Sequence, residues 1–481
     1  MLTYASFGTG RMVSAALEDR DGAGKPQQGR IFLQASQPVS ARPLFCGAAR
    51  AAGRKPNACQ RTSTPAMKPI PVVTVFITSA GKIALLKRSD KVGTYRGAWA
   101  GVAGYIERLP LRQAYMELQE EAGLSQGDVE LRGMGVPVIV DDPELARTWA
   151  VHPFLFEVDD PEKMTLDWEA DDIRWIEPAE MADLKTVPGL DRALAAVWPP
   201  FGEKAFWDEL SETALDTVRG ATSLAVAALS VVECELKRNP ATPVERAARA
   251  LAGCRPSMAI FPHLAARLLL GESPADLSAA LIAATTASAQ KAAETIQGCD
   301  RILTHSYSSA VRKTLLVRRP KEVIVTESRP GCEGLLLARD LTAEGIRVIV
   351  ITDAQAGLFV PEADAVLIGC DAITNDDEVA NKAGTSLIAL AANEAGVPVY
   401  AVAQDYKVMP PGMPYLNEEQ EPDEVGQARD TRFRNVVFDL TPIQKLSAVF
   451  TENGAVTPDI LSSIRAYIGA GSYSFAGCSG C

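Results

Sequence analysis

The stretch Arg301-Ile302-Leu303-Thr304-His305-Ser306-Tyr307-Ser308-Ser309 decides the fold of this chain. It is a short apolar run that ends in a cluster of hydroxyls just before a helical pattern begins. Similar runs follow at Val323 to Thr326, Val348 to Thr352, Ala365 to Gly369, Val397 to Ala403 and Val436 to Asp439. Helical stretches separate most of them, notably Gly334 to Glu344 and Thr385 to Glu394. Short apolar strands alternating with helices predict an α/β domain with a parallel, doubly wound, Rossmann-like sheet over 299–450. In such sheets ligands bind outside the carboxyl ends of the strands.

Those strand ends carry chemistry. Thr304 to Ser309 offers hydroxyls and helix-start amides, which cradle anions, although helix capping explains any single Ser equally well. Glu327-Ser328-Arg329-Pro330, Asp353 and Gly369-Cys370-Asp371-Ala372 end the next three runs. Asn381-Lys382-Ala383-Gly384-Thr385 is expected to open a helix and so to present amides and a cation together. Asp405-Tyr406-Lys407 follows the fifth run. Upstream, Arg219-Gly220-Ala221-Thr222 sets a guanidinium beside a glycine, and Arg255-Pro256-Ser257 adds a second cation. Structural needs rarely place a polar group at each strand end in turn, so the convergence points to one phosphate-binding site.

Working outward, residues 203–298 are Ala- and Leu-rich and read as a helical subdomain. One helix is expected from Trp207 to Lys237, with Gly220 near its middle, and others at Pro243 to Ala252, Pro262 to Leu270 and Asp276 to Ile296. Pro199-Pro200-Phe201-Gly202 marks a boundary. Before it, residues 68–200 read as a small α+β domain. Val72 to Thr78 and Ile83 to Leu86 form a hairpin, Leu111 to Ala122 a helix ended by Gly123, and Trp149 to Glu157 and Ile173 to Ile176 further strands. Asn417 to Asp430 reads as a polar loop, and 451–481 as a tail.

On the helix of the first domain, Glu117, Glu120 and Glu121 fall at i, i+3 and i+4, on one face. This is either a solvated acidic face or a site for a divalent cation such as Mg2+, which would relieve the mutual repulsion. Gly104-Tyr105-Ile106-Glu107, then Glu117-Leu118-Gln119-Glu120-Glu121-Ala122-Gly123-Leu124, resembles the Nudix box of diphosphate hydrolases. Gly97-Ala98-Trp99 and Arg174-Trp175-Ile176-Glu177-Pro178 resemble that family too. The box is degenerate. Gly104 to Glu117 is two positions short, Pro110 stands where the first Glu belongs, and Met116 replaces the Arg that orients the metal-binding glutamate. The resemblance implies a Nudix fold with Glu117, Glu120 and Glu121 as metal ligands; the departures set nucleotide or sugar-phosphate sensing against hydrolysis.

The motifs from Arg219 to Lys407 resemble the initiation factor 2B family, which includes exchange-factor regulatory subunits, methylthioribose-1-phosphate isomerases and archaeal ribose-1,5-bisphosphate isomerases. The last pattern fits best. The resemblance implies that Arg219, Gly220, Ala221, Thr222, Arg255, Ser308, Asn381, Lys382 and Lys407 hold the bisphosphate, with Asp371 as a catalytic acid/base. It also implies a homo-oligomer, a dimer or a hexamer, and no cofactor for isomerisation. Ser306 stands where the family has its catalytic Cys. A thiol of pKa about 8.5 trades protons near neutrality, whereas a serine hydroxyl needs a nearby base. The resemblance thus supports an isomerase, with a non-catalytic sensor, a translation-factor-like subunit and a Nudix hydrolase with a ligand-sensing domain as alternatives.

A net charge of -12 argues against a general nucleic-acid surface, and no run of about 18 apolar residues predicts a membrane span. Residues 1–67 hold nine Lys or Arg against three acids, with no acid from Asp21 to Asp90. That bias is expected of an organelle transit peptide, plastid before mitochondrion, or else of a tail with no address, with folded pattern starting after Met67. The nine cysteines show no zinc spacing. Cys234, Cys254, Cys332 and Cys370 are expected to be reduced and buried, and Cys478 and Cys481 form either an accidental pair or a reducible switch.

Overall fold

The computed structural model describes residues 68–472. The expected transit segment 1–67 and the Cys478–Cys481 pair lie outside the described residues.

The first domain opens on β1 (Ile70–Ser79) and β2 (Lys82–Arg88), an antiparallel hairpin. Its turn residues Ala80 and Gly81 take φ of 49° and 80°, the left-handed pair that matches strand twist. Then come β3 (Trp99–Ala100), β4 (Val102–Tyr105), α1 (Pro110–Ala122), β5 (Val129–Met134), β6 (Val138–Asp142), β7 (Arg147–Val158), β8 (Ala170–Ile176) and α2 (Leu190–Val197). Parallel pairing of β1 with β7 forms the centre of an eight-stranded mixed sheet. Pro110 starts α1 where no amide partner is needed, and Gly123 ends it at φ 66°.

The helical subdomain comprises α3 (Lys204–Leu215), α4 (Ala221–Arg238), α5 (Val244–Cys254), α6 (Ile260–Leu269) and α7 (Pro274–Thr295). The single helix expected from Trp207 to Lys237 is therefore two. Asp216 breaks it: Oδ1 accepts the amides of Val218 at 2.7 Å and Arg219 at 2.8 Å, a local turn that outcompetes the helical ladder. The Pro199–Gly202 boundary is punctuation in the chain, not a gap between cores. Trp207 and Leu210 of α3 share one buried cluster with Leu131, Met134 and Phe156 of the first sheet.

The last region adds β9 (Arg301–Thr304), α8 (Ser309–Arg318), β10 (Glu322–Thr326), α9 (Glu333–Ala343), β11 (Val348–Ile351), α10 (Ala356–Phe359) and β12 (Ala365–Ile368). It continues through β13 (Ala372–Ile373), β14 (Glu378–Lys382), α11 (Thr385–Ala395), β15 (Val399–Val402), β16 (Phe438–Pro442), β17 (Ala448–Thr451), β18 (Gly454–Ala455) and α12 (Pro458–Ser472). The main sheet has the order β11-β10-β9-β12-β15-β17-β18, parallel through β17, with the order reversing beside β9. Three expectations are corrected. The run at Val436 to Asp439 contributes β16 to a separate antiparallel sheet, β13-β14-β16, and β17 supplies the sixth parallel strand instead. Asn381 and Lys382 lie on β14, not at a helix start. Residues 451–472 are not a tail, because Leu461 of α12 is buried in the sheet's core. A short apolar run does not reveal which sheet will accept it, since pairing partners are set by tertiary contacts.

Candidate functional site

Two adjoining cavities of about 330 and 40 Å³ open where the strand ends meet the helical subdomain. Gly220, Ala221, Ser306, Tyr307 and Asp371 line both. Arg219, Arg255 and Lys382 line the larger, and Thr222, Ser308, Asn381 and Lys407 the smaller. The residues that the family resemblance assigned to the site are therefore brought to one place, whereas the strand-end groups Glu327, Arg329, Asp353 and Asp405 line neither cavity.

Local structure explains each position. Gly220 is the N-cap of α4, so the first amides of an 18-residue helix face the cavity without an acidic residue in the first turn. Ser308 caps α8, its Oγ accepting from Val311 N at 3.4 Å. Gly369 lets Ser308 and Asn381 approach: a Cβ there would sit 2.8 Å from Ser308 Cβ and 3.0 Å from Asn381 Oδ1. Ser306 takes φ 65°, and its amide donates to Ser328 Oγ at 2.8 Å. The start of α11 does not offer itself to a ligand, because Asp439 accepts the amides of Gly384 at 2.8 Å and Ser386 at 3.0 Å.

Three of the four cations are matched by acids that the sequence did not single out, and Lys407 by Asp371, which it did. Arg219 Nε donates to Asp216 Oδ2 at 2.6 Å, and Lys382 Nζ to Glu333 Oε1 at 2.8 Å. Lys407 Nζ donates to Cys370 O at 2.7 Å and lies 3.4 Å from Asp371 Oδ1. Arg255 and Glu418, each 2% exposed, form a two-pronged pair at 3.1 and 2.6 Å. Glu418 hides in the stretch read as a polar loop, where no pattern distinguishes a buried acid from a solvated one. Glu333 and Asp216 carry only the weak signal of an acid beside a helix end.

The proton chemistry is narrow. His305 does not serve Ser306: Nδ1 lies 2.6 Å from Thr326 Oγ1 and Nε2 3.0 Å from Ala383 O. Burial holds its pKa below the usual imidazole value, so the ring is neutral. Cys370 lines the smaller cavity, but burial pushes its thiol up to about 12, and it donates to Ala372 O at 3.4 Å. It is no substitute thiolate. Cys254 is buried and free as expected, whereas Cys332 is half-buried and Cys234 exposed.

The first domain has its own cavity, of about 490 Å³, lined by Tyr95, Tyr105, Trp149, Arg88, Arg108, Glu117, Glu120, Glu121 and Glu169 among others. Glu117 packs where Gly104 has no side chain, and its Oε1 accepts Gln113 Nε2 at 2.7 Å. Glu121 Oε1 accepts Ala103 N at 3.2 Å. Burial, then nearby carboxylates, raises the Glu121 carboxyl to about 8; Glu117 and Glu169 are raised as well, mainly by burial. Glu120 points to solvent. Among the described residues no three His, Cys, Asp or Glu side chains converge to hold a metal ion. The three glutamates share a cavity but form no ready-made magnesium centre, because two are spent on neighbouring donors and the third is turned outward.

A helix N-terminus, hydroxyls and paired cations at the carboxyl end of a parallel sheet are groups of the kind that hold phosphates. The chain belongs to the initiation factor 2 subunit family, whose model matches residues 217–458; a NUDIX domain model matches residues 68–197. A ribose 1,5-bisphosphate isomerase of Haloterrigena turkmenica is 30% identical over 295 residues, covering 53% of this chain and 90% of that protein. A translation initiation factor eIF-2B subunit 2-like protein of Pyrococcus horikoshii is 44% identical over 177 residues, covering 34% of this chain and 61% of that protein. The alignment thus spans under two thirds of that relative. The crystal structure of Pyrococcus horikoshii translation initiation factor eIF-2B matches with 31% identity and a TM-score of 0.46, covering 54% of this chain and 99% of that one. No described helix is long and apolar enough to cross a membrane.

Proposed function

We propose that this chain is a sugar-phosphate isomerase acting on ribose 1,5-bisphosphate to give ribulose 1,5-bisphosphate. The observation that carries this reading is the gathering of Arg219, Arg255, Ser306, Asp371, Lys382 and Lys407 on the walls of adjoining cavities. The relatives named as ribose 1,5-bisphosphate isomerases support it. In this reading the amides at Gly220 to Thr222 and the Lys and Arg groups take the two phosphates. Arg219 and Lys382 then exchange their carboxylate partners for phosphate oxygens, while Arg255 keeps Glu418. Asp371 shuttles the proton between adjacent sugar carbons, and Lys407 Nζ, 3.4 Å from its Oδ1, positions the carboxylate. Ser306 supplies a weaker acid than a thiol would, so turnover is slow rather than absent. No step runs through magnesium, and the Nudix-like domain acts without hydrolysis.

The test is an assay of purified protein for ribulose 1,5-bisphosphate formed from ribose 1,5-bisphosphate. Asp371→Asn should lower turnover about 100-fold or more while binding persists, and Ser306→Cys should raise it about tenfold. Tight binding with no product in either the parent or Ser306→Cys would leave a sensor. We further propose a homo-oligomer, dimer or hexamer. Exposed Leu358, Leu387 and Leu390 on α10 and α11 support it, and sedimentation giving only monomer would refute it. The basic N-terminus supports an organelle address, plastid first; a fluorescent fusion of residues 1–67 that stays cytosolic would refute that.

A further inference from the structure

The ribbon 416–437 lines the larger strand-end cavity through Glu418, Gln420 and Val437, and pairs with two wall residues of the Nudix-like cavity. Its two limbs pair: Gln420 N donates to Asn435 O at 3.0 Å and Val437 N to Glu418 O at 2.9 Å. At one end it grips the Nudix-like domain. Glu421 accepts from Arg108 at 3.3 Å and lies 3.2 Å from Arg112 Nε, while Arg432 donates to Glu107 at 2.8 Å. Glu107 and Arg108 are walls of the Nudix-like cavity, and Arg112 lies on α1, the helix of the degenerate box. In the middle, Glu418 holds Arg255 through two prongs and accepts Ser257 Oγ at 2.7 Å. At the far end, Val437 O accepts Ala383 N at 2.8 Å, next to Lys382.

A second contact lies under the ribbon. His152, on β7 of the Nudix-like sheet, is 5% exposed, and its Nε2 has no hydrogen-bond partner. It faces a cavity of about 20 Å³ lined also by Arg255, Ser257, Asn417 and Glu418. A cavity of that size holds about one water molecule, which would satisfy the ring nitrogen and tie β7 to the Arg255 pair.

We propose that the Nudix-like domain serves as the positioning element of the sugar-phosphate site, with Arg108 and Arg112 fixing Glu421 so that Glu418 presents Arg255 to a substrate phosphate. This rests on the function proposed above. The helix that lost the Arg of the hydrolytic box, with Met116 in its place, thus carries an arginine that clamps the ribbon. Arg108, Arg112, Glu421 and Glu418 are positioning residues: none needs to touch the reacting carbons. Two short limbs bonded to each other carry displacement at Glu421 to Glu418, three residues away, with little slack.

The experiment compares the parent with the double variant Arg108→Ala, Arg112→Ala and with Arg108→Lys, Arg112→Lys, using the full chain. The alanine pair should raise KM for ribose 1,5-bisphosphate about fivefold or more at a kcat within about twofold, and the lysine pair should recover most of the loss. Hydrogen exchange, which needs no ligand, should speed up at residues 416–420 and 255–258 in the alanine pair alone. Unchanged exchange there, or an unchanged KM, overturns the inference. A parent that neither binds nor converts the bisphosphate sinks the proposed function, and the exchange result still decides the coupling.

Discussion

The two large cavities of this molecule handle charge in opposite ways. In the Nudix-like cavity carboxylates face one another: Glu117 and Glu121 are buried with raised pKa values, with Glu169 on the same wall. In the sugar-phosphate cavity opposite charges are matched, Arg219 with Asp216, Lys382 with Glu333, Lys407 with Asp371 and Arg255 with Glu418. The first arrangement carries a desolvation penalty; the second holds cations in place for an anion. A motif therefore survives in two senses. The glutamates of the Nudix box keep their helical spacing without converging, whereas the scattered residues of the phosphate site converge although nothing in their spacing requires it.

The largest expected effect probes the matched side. Glu418→Ala leaves the buried guanidinium of Arg255 without its carboxylate, at a cost of about 3–5 kcal/mol in urea unfolding. Arg255→Met combined with Glu418→Leu should restore most of that, because two apolar groups need no pairing. If the single variant costs under about 1 kcal/mol, the pair is not held in a desolvated setting and the contrast collapses.

The desolvated carboxylates give a pH-dependent effect, smaller at neutral pH. Glu121 has its folded pKa raised from 4.5 to about 8. Between those values the folded protein keeps a proton that the unfolded chain has lost, so stability falls as pH rises across that window. Glu121→Gln removes this penalty. Its advantage in melting experiments should be absent below pH 4.5, grow through neutrality, and level off above about pH 8 at ~5 kcal/mol. A flat difference from pH 4 to 9 would show that the carboxyl is not desolvated.

The smallest effect concerns magnesium. With Glu120 turned to solvent and no convergent trio among the described residues, Mg2+ alone at about 1 mM should shift the melting temperature by less than about 1 °C. A larger shift, lost in Glu121→Gln, would show that the glutamates gather around an ion on demand.

Much of this was legible in the chain. The alternation of strands and helices from Arg301 to Val402 was readable because parallel strands buried on both faces are continuous apolar runs bounded by helices. Ser306, Ser308, Asp371 and Lys407 were readable because a parallel sheet sends its strand ends to one edge, whereas Arg219 to Thr222, Arg255, Asn381 and Lys382 lie off that sheet and were legible only through the family resemblance. Asp216, Glu333 and Glu418 were not, because a polar residue in a polar stretch gives no sign that it will be buried against a distant cation. The split of the long helix at Asp216 was missed for a related reason. A helix-compatible pattern ran through the turn, and only the side chain's hydrogen bonds to Val218 and Arg219 settled the local competition.

The sequence by itself determined the two kinds of domain and their order, which follow from local periodicity and chain direction, and the family, which follows from its motifs. Only the tertiary structure decided that β16 leaves the main sheet, that Asp439 closes the start of α11, that Glu418 claims Arg255, and that the ribbon 416–437 pairs with Glu107 and Arg108 of the first domain. Each of those depends on groups far apart in the chain competing for one partner in space. That competition has no signature in local spacing.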